Sequence, residues 1–294
     1  MCVRLKVGVL LDEPEVLPGF DYTFFEAKPS SGRILPALPK AWNVVNCFAD
    51  NTISRQKPGL VATRKGECAV RGTPRRFLWD WICPSRTGYR DYCIQVIQKI
   101  EKQDVAGIRL DSVCFPREGY CDCDICVESW KKSGQEFTQW RANQITSFIH
   151  DARRNLDCAL GLTLEPDPCC GKERFGLDLA EITKYVDFIS TPLYMDYSIV
   201  YWLDIIANCF RRRITKPYFI ELYAGHPRAP VKNIVSALAV ASEYADAIIL
   251  STYQEALTKD LQRQIVDDAS TWKFFEERGC EAMLDVLKAW RKLL

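Results

Sequence analysis

The chain has 294 residues, with 39 Lys and Arg against 38 Asp and Glu and a formal net charge of +1. This near-neutral balance excludes the basic footprint of a nucleic-acid-binding protein and the polybasic segment that attaches a protein to a membrane surface. The presence of only two histidines argues against a His-rich metal centre, because imidazole supplies most ligands in such centres.

In chain order, short apolar and β-branched runs predict eight β-strands. They are Lys6–Leu11, Asn43–Phe48, Cys68–Val70, Ala106–Asp111, Leu160–Glu165, Asp187–Thr191, Tyr218–Glu221 and Ala247–Ser251. The third is the weakest, and Phe77–Ile82 is its alternative. The runs are apolar throughout, which is typical of parallel strands buried on both faces.

Segments with helical periodicity lie between the predicted strands. Examples are the stripe Val96, Ile97 and Ile100 before the fourth strand and the segment from Ser270 to Leu294 after the eighth. Eight alternating βα units predict a (β/α)8 TIM barrel, and no linker interrupts the chain, so we expect residues 1–294 to form a single domain. A doubly wound sheet is the alternative, but its G-x-G-x-x-G fingerprint after the first strand is absent.

Three predicted strands end in a carboxylate: Asp111 on the fourth, Glu165 on the fifth and Glu221 on the seventh. Active sites of TIM barrels gather at the C-terminal ends of the strands, and paired carboxylates there can cleave a glycosidic bond. Arg109 lies two residues before Asp111, points the same way and is a candidate substrate-binding residue. Such an acid can instead cap a helix or pair with an Arg.

Polar-ended aromatic side chains also lie at or beyond predicted strand ends. Aromatic faces stack on the C–H faces of sugar rings while their polar edges form hydrogen bonds. With one acid, they make up the remaining candidate substrate-binding residues, which are Trp81, Tyr194, Asp196, Tyr223 and Tyr253.

The chain contains fourteen cysteines. The sequence has no apolar run of the ~18–20 residues that a membrane helix needs, and we identify no secretory signal in it. We therefore expect a cytoplasmic protein, in which clustered cysteines bind metal more often than they form disulfides. Cys121, Cys123 and Cys126 form a C-x-C-x-x-C group, and Cys83 is the best fourth ligand of a closed, structural zinc site spanning residues 83–126. The alternatives are reduced thiols without metal, or ligands drawn from Cys114, Cys169 and Cys170.

Two segments resemble a known family. Trp81–Ser85 (Trp-Ile-Cys-Pro-Ser) and Cys121–Trp130 are similar to the zinc-binding loops of family 42 β-galactosidases, which are TIM barrels of the large retaining glycosidase clan. Gly107–Asp111 with Phe115–Pro116 resembles the fourth-strand motif of glycoside hydrolase-like barrels. The resemblance covers roughly residues 79–130, and the chain is short for a complete family 42 enzyme.

The resemblance to family 42 implies an acid/base carboxylate at Asp111 and a nucleophile at Glu221. The clan carries Asn-Glu after the fourth strand, whereas this chain has Leu110-Asp111. Gly107–Asp111 also resembles the fourth-strand motif of α-amylase-type barrels. That resemblance implies Asp111 as nucleophile, Glu165 as acid/base and Glu221 as a stabilising residue.

Three hypotheses follow. The first is a glycoside hydrolase acting on an oligosaccharide or glycoside. The second is a barrel that binds carbohydrate without catalysis, favoured by the departure at Asp111. The third is an enzyme whose carboxylates hold Mg²⁺. The sequence does not determine the oligomeric state.

Overall fold

The computed structural model describes residues 5–73 and 77–294, and it is a (β/α)8 barrel. Eight strands close in the order β1-β10-β9-β8-β7-β6-β3-β2, and a separate antiparallel hairpin is formed by β4 and β5. The barrel strands are β1 (Lys6–Leu11), β2 (Tyr22–Lys28), β3 (Trp42–Asn46), β6 (Gly107–Asp111), β7 (Ala159–Thr163), β8 (Phe188–Pro192), β9 (Tyr218–Tyr223) and β10 (Ala247–Tyr253). The hairpin strands are β4 (Thr63–Arg64) and β5 (Glu67–Cys68).

From β3 onwards, helices connect the barrel strands, and three follow the last strand. They are α1 (Asn51–Gln56), α2 (Thr87–Glu101), α3 (Asp124–Ser133), α4 (Phe137–Arg154), α5 (Gly171–Phe175), α6 (Leu179–Ile182), α7 (Tyr201–Arg211), α8 (Val231–Tyr244), α9 (Glu255–Asp267), α10 (Ala269–Glu277) and α11 (Glu281–Arg291). A single 3₁₀ turn covers Pro58–Leu60. Among the described residues, none of the helices has both the length and the apolarity needed to cross a membrane.

Seven of the predicted strands overlap barrel strands, and the prediction at Cys68–Val70 is wrong. That segment contributes only the short hairpin strand β5, and its alternative, Phe77–Ile82, makes isolated bridges at Phe77, Trp81 and Ile82 rather than a barrel strand. The missing barrel strand is β2, which pairs in parallel with β1 through ten connecting residues and no helix. The predicted fourth, fifth and seventh strands keep those positions in the barrel.

The C-terminal segment forms two helices after α9 instead of one continuous helix. Gly279 lies between α10 and α11 with φ +64°, a left-handed conformation that glycine adopts without the steric cost of a Cβ atom. The chain turns there, and buried Phe275 of α10 and Leu287 of α11 both contribute to the core.

The described chain divides into two compact units. The first comprises residues 5–25, 40–42 and 188–294, and the second comprises residues 26–39, 43–73 and 77–187. In the first unit, Phe188 and Phe219 stack with ring centroids 4.3 Å apart. In the second, the Phe48 and Phe148 rings lie 4.9 Å apart. The expectation of a single domain stays a prediction.

The second unit contains a buried ion pair. The Lys28 ammonium lies 3.0 Å from the Asp50 carboxylate, and both side chains have 0% exposure. The Tyr89 hydroxyl donates to the same carboxylate at 2.8 Å, while the other Asp50 oxygen accepts from the Thr52 and Ile53 N–H groups at the start of α1. These bonds satisfy both charges, which buried ions require.

Candidate active site

Two of the predicted carboxylates, Asp111 and Glu165, belong to the second unit. Asp111 is the last residue of β6, and the Ser112 N–H donates to its Oδ1 at 2.6 Å. Glu165 lies two residues beyond the end of β7 and is half-buried. The loops after these strands are joined by a hydrogen bond of 2.9 Å from the Phe115 N–H to the Phe175 carbonyl.

The Glu165 carboxyl is held partly in its protonated form. Burial first, and then the neighbouring negative charge of Asp111, raise its pKa from 4.5 to about 7. The Cys114 thiol, 3.8 Å from Oε1, and the cations Arg117 and Arg174 act in the opposite direction. A carboxyl group that keeps its proton near neutral pH is what a general acid needs.

Glu165 lines a cavity of about 290 Å³ in the second unit, a volume at the lower limit for small-molecule pockets. Trp79 and Trp81 form part of its wall; Trp79 is 41% exposed, whereas Trp81 is 6% exposed. Asp167 and Arg174 also line the cavity and form an ion pair of 2.7 Å. The cavity therefore combines an aromatic wall with a carboxyl group of raised pKa.

Glu221 belongs to the first unit and is 2% exposed. It lies on β9, where its Oε2 is 3.1 Å from the Tyr194 hydroxyl and 3.4 Å from the Ser251 hydroxyl. Burial and the Glu221 charge raise the pKa of Tyr194 well above its ordinary value. Tyr194 therefore stays protonated as a hydrogen-bond donor. The Tyr253 hydroxyl is 3.4 Å from that of Tyr194, so three of the predicted residues lie together here.

Of the other predicted substrate-binding residues, Asp196 and Tyr223 make hydrogen bonds within their own loops. Asp196 is exposed and accepts from the Ser198 N–H at 2.9 Å, which closes a turn. The Tyr223 hydroxyl donates to the His226 carbonyl at 2.8 Å. Arg109 is buried in β6 with 1% exposure. Their contacts with a substrate stay predictions.

The four predicted cysteine ligands lie together in the second unit. The sulfur atoms of Cys83, Cys121, Cys123 and Cys126 are all within 4.8 Å of one another. Cys83 Sγ is 3.3 Å from that of Cys126 and 4.0 Å from that of Cys123. Four convergent thiol groups are a donor set that could bind a metal ion.

The β4–β5 hairpin donates hydrogen bonds to this cysteine group. The sequence predicted the cysteine group but not its contact with the hairpin. The Thr63 N–H donates to Cys121 Sγ at 3.2 Å, and the Lys65 N–H donates to the Asp122 carboxylate at 2.5 Å. Hydrogen bonds of this kind orient metal ligands. The reserve cysteines lie outside the group: Cys114 contacts Glu165, and the Cys170 N–H donates to Asp167.

Sequence reasoning missed Arg117, Asp167 and Arg174 as cavity residues. The sequence feature that could have identified them is their position after a barrel strand. Arg117 follows the fourth strand and the other two follow the fifth, where barrel enzymes carry functional side chains. Their loops contain charged residues of both signs, so the sequence alone did not distinguish cavity residues from surface residues.

Solved structures of similar fold include glycoside hydrolases at low sequence identity. The PgaB (BpsB) glycoside hydrolase domain from Bordetella bronchiseptica matches with a TM-score of 0.66 and 11% identity, over 88% of this chain and 96% of that one. A variant of the PelA glycoside hydrolase domain from Pseudomonas aeruginosa has a TM-score of 0.51 and 14% identity, over 84% and 95%. α-L-Fucosidase isoenzyme 2 from Paenibacillus thiaminolyticus has a TM-score of 0.59 and 12% identity, over 98% of this chain and 49% of that one.

At these identities the likeness shows the fold alone. No protein-family model matches the sequence, and no curated protein matches it either. The resemblance to family 42 β-galactosidases therefore stays a prediction.

Proposed function

We propose that the protein is a glycoside hydrolase in which Glu165 is the proton donor and Asp111 is its ionised partner. The observation that carries this proposal is the position of Glu165 in a cavity lined by Trp79 and Trp81, where burial and the Asp111 charge raise the pKa of Glu165 to about 7. A glycosidase needs one carboxylic acid that keeps its proton near neutral pH and a second carboxylate that stays charged. The structural likeness to the PgaB and PelA glycoside hydrolase domains supports a carbohydrate substrate.

In this mechanism the Glu165 carboxylic acid gives its proton to the glycosidic oxygen as the bond to the anomeric carbon breaks. The Asp111 carboxylate attacks the anomeric carbon and forms a glycosyl ester. A water molecule that gives its proton to the Glu165 carboxylate then cleaves this ester, which releases the sugar and regenerates both side chains. The exposed Trp79 face in the cavity wall stacks on the sugar and holds it in position.

The raised pKa of Glu165 favours the α-amylase-type assignment over the family 42 assignment. In the former, Glu165 is the acid/base, Asp111 the nucleophile and Glu221 a stabilising residue. In the latter, Asp111 is the acid/base and Glu221 the nucleophile. The two assignments name different residues as the proton donor. Replacement of the proton donor lowers kcat/KM more for substrates with poor leaving groups than for substrates with good ones, so the two assignments can be distinguished by measurement.

The experiment compares the hydrolysis of 4-nitrophenyl glycosides with that of alkyl glycosides. Loss of a proton donor should lower kcat/KM by about 10²–10⁴ for the alkyl compounds, which need protonation, and much less for the 4-nitrophenyl compounds. We expect this pattern for Glu165→Gln, and loss of activity on both classes for Asp111→Asn and Glu221→Gln. Glu277→Gln, at an exposed residue, is the control.

The same measurements separate the alternatives. A leaving-group dependence at Asp111 instead of Glu165 would favour the family 42 assignment. Oligosaccharide binding without turnover, unchanged by Glu165→Gln and Glu221→Gln, would indicate a carbohydrate-binding barrel. Within residues 5–73 and 77–294, the four cysteines form the sole close group of three or more potential metal ligands. Activity that a chelator abolishes and Mg²⁺ restores would favour the Mg²⁺ hypothesis.

The cysteine group fits a structural Zn²⁺ site, which is the second part of the proposal. Zn–S bonds of about 2.3 Å in a tetrahedron place sulfur atoms about 3.8 Å apart, close to the observed 3.3 and 4.0 Å. Four thiolates leave no position for a substrate or water, so the ion would hold together the loops that carry Cys83 and Cys121–Cys126.

Metal analysis of the purified protein tests this part. We expect one zinc per chain, reduced to less than about a fifth of that by Cys126→Ser, together with a lower Tm. Cys170→Ser is the matched control, because Cys170 is exposed and outside the group. Protein without zinc, or equal zinc contents in the two variants, would contradict the assignment.

A further inference from the structure

Arg117 brings a positive charge to the cavity that contains Glu165. It lies in the loop after β6, is half-buried and lines the cavity. Its guanidinium lies over the Phe77 ring, 5.4 Å from the ring centroid, a contact that favours a defined position for the cation.

The two arginines that line the cavity, Arg117 and Arg174, differ in their ion pairs. Arg174 forms an ion pair of 2.7 Å with Asp167 and also lies 3.4 Å from the exposed Glu118 carboxylate. Glu165 is mostly uncharged below its pKa of about 7. Within the described residues, Arg117 has no carboxylate at ion-pair distance. Among the described side chains that line the cavity, Arg117 is therefore the cation that is not held in an ion pair.

The backbone on both sides of the cavity is fixed by one buried cation. Arg141 of α4 is 1% exposed, and its guanidinium donates to the carbonyls of Arg117 at 2.9 Å, Glu173 at 2.7 Å and Arg174 at 2.9 Å. These bonds join the loop that carries Arg117 to the helix that carries Arg174. A cation on a backbone held in this way is preorganised for a ligand.

We propose that this cavity takes a sugar that carries a carboxylate, and that Arg117 is the residue that recognises the carboxylate. The inference rests on the proposed function and names the substrate class of the same site. Guanidinium groups bind carboxylates through paired, charge-assisted hydrogen bonds. The Trp79 face accommodates the ring of such a sugar, and the Arg117 guanidinium, which is not held in an ion pair with a described carboxylate, can pair with the sugar carboxylate.

The proposal has a consequence for the proton donor. In the free protein the Arg117 charge lowers the pKa of Glu165 and so opposes retention of its proton. A substrate carboxylate bound to Arg117 would neutralise that charge and move the pKa of Glu165 upwards. On the alkaline side of the pH profile, kcat depends on the pKa of Glu165 in the enzyme–substrate complex, and kcat/KM depends on its pKa in the free enzyme. The decrease of kcat should therefore occur at higher pH than the decrease of kcat/KM.

The binding test needs no turnover. Quenching of intrinsic tryptophan fluorescence, with Trp79→Phe as the reference that identifies the Trp79 contribution, is measured at pH 6. Glucuronate is compared with glucose and galacturonate with galactose, and galactose 6-sulfate separates a sulfate from a carboxylate. We expect at least one uronate to bind about tenfold more tightly than its neutral partner and more tightly than the sulfate. Arg117→Gln should remove this preference, whereas Arg117→Lys should keep part of it.

Arg154→Gln is the matched control, because it removes the same charge from an exposed position of the second unit outside this cavity. Equal binding of each acid and its neutral partner would overturn the proposal, as would a preference that survives Arg117→Gln or a preference for the sulfate. Hydrolysis of neutral glycosides that Glu165→Gln abolishes and Arg117→Gln leaves unchanged would refute the substrate class and keep the hydrolase. Uronate binding without any hydrolysis would refute the hydrolase and keep the carboxylate-bearing sugar as the ligand class.

Discussion

Glu165→Gln should make the protein more stable at alkaline pH while removing its proton donor. The substitution keeps the size of the side chain and abolishes its ionisation. In the folded protein the pKa of Glu165 is about 7, against an ordinary value of 4.5. The folded state therefore binds this proton more tightly than the unfolded chain does, and ionisation of Glu165 opposes folding.

The magnitude follows from proton linkage. Stability due to the protonated carboxyl is fully present below the ordinary pKa and is lost as the pH rises through the folded pKa. At about 1.36 kcal/mol for each pH unit between 4.5 and 7, the loss is about 3 kcal/mol above pH 8. The Gln variant does not undergo this loss, which corresponds to a Tm difference of roughly 6 °C for a chain of this size.

Urea denaturation at pH 4.5, 6 and 8 measures the effect. The free energy of unfolding of the variant minus that of the unmodified protein should rise by about 2–3 kcal/mol from the lowest to the highest pH. Glu277→Gln should give a difference that does not change with pH, because Glu277 is exposed. A constant difference for Glu165→Gln would refute the reasoning, because it would mean that the carboxyl titrates alike in both states.

Two further predictions concern the second unit. Lys28→Met should lower the free energy of unfolding by about 3–5 kcal/mol in urea denaturation, because it leaves Asp50 as a buried, unpaired charge; adding Asp50→Asn should recover part of the loss, and no recovery would contradict this cause. Cys114→Ala should raise the pKa of Glu165, because it removes the thiol 3.8 Å from Oε1 that favours the carboxylate. An NMR titration of ¹³C-labelled Glu side chains would show the midpoint, and an unchanged or lower value would contradict the role of Cys114.

The sequence predicted the barrel because most of its strands are continuous apolar runs. β2 was missed because Glu26 and Lys28 interrupt such a run. Lys28 is nevertheless fully buried, since its charge is paired with Asp50, which lies 22 residues further along the chain. A strand whose charged residue finds a partner only after folding carries no apolar signature, and sequence periodicity cannot reveal it.

The candidate site was predictable to a different extent for each class of residue. Asp111 and Cys121–Cys126 have local signals, namely a strand end and a short ligand spacing. The protonation of Glu165 depends on burial and on Asp111, which is 54 residues away in the sequence. The role of Arg141 depends on three carbonyl groups, one from the loop after β6 and two from α5. Long-range contacts of this kind are set by packing, so the sequence left Arg117 indistinguishable from a surface cation.

The proposed zinc site and the candidate proton donor are connected through one stretch of chain, residues 112–126. At one end Cys114 contacts Glu165, and at the other Cys121 and Asp122 are bound by the hairpin residues Thr63 and Lys65. Between them, the Arg64 guanidinium donates to the Glu118 carbonyl at 3.1 Å. Side-chain and backbone groups of the hairpin thus fix the loop that presents Arg117 to the cavity. A loop without regular structure needs such anchors to hold a cation in position, so a structural metal here would contribute to recognition without touching the substrate.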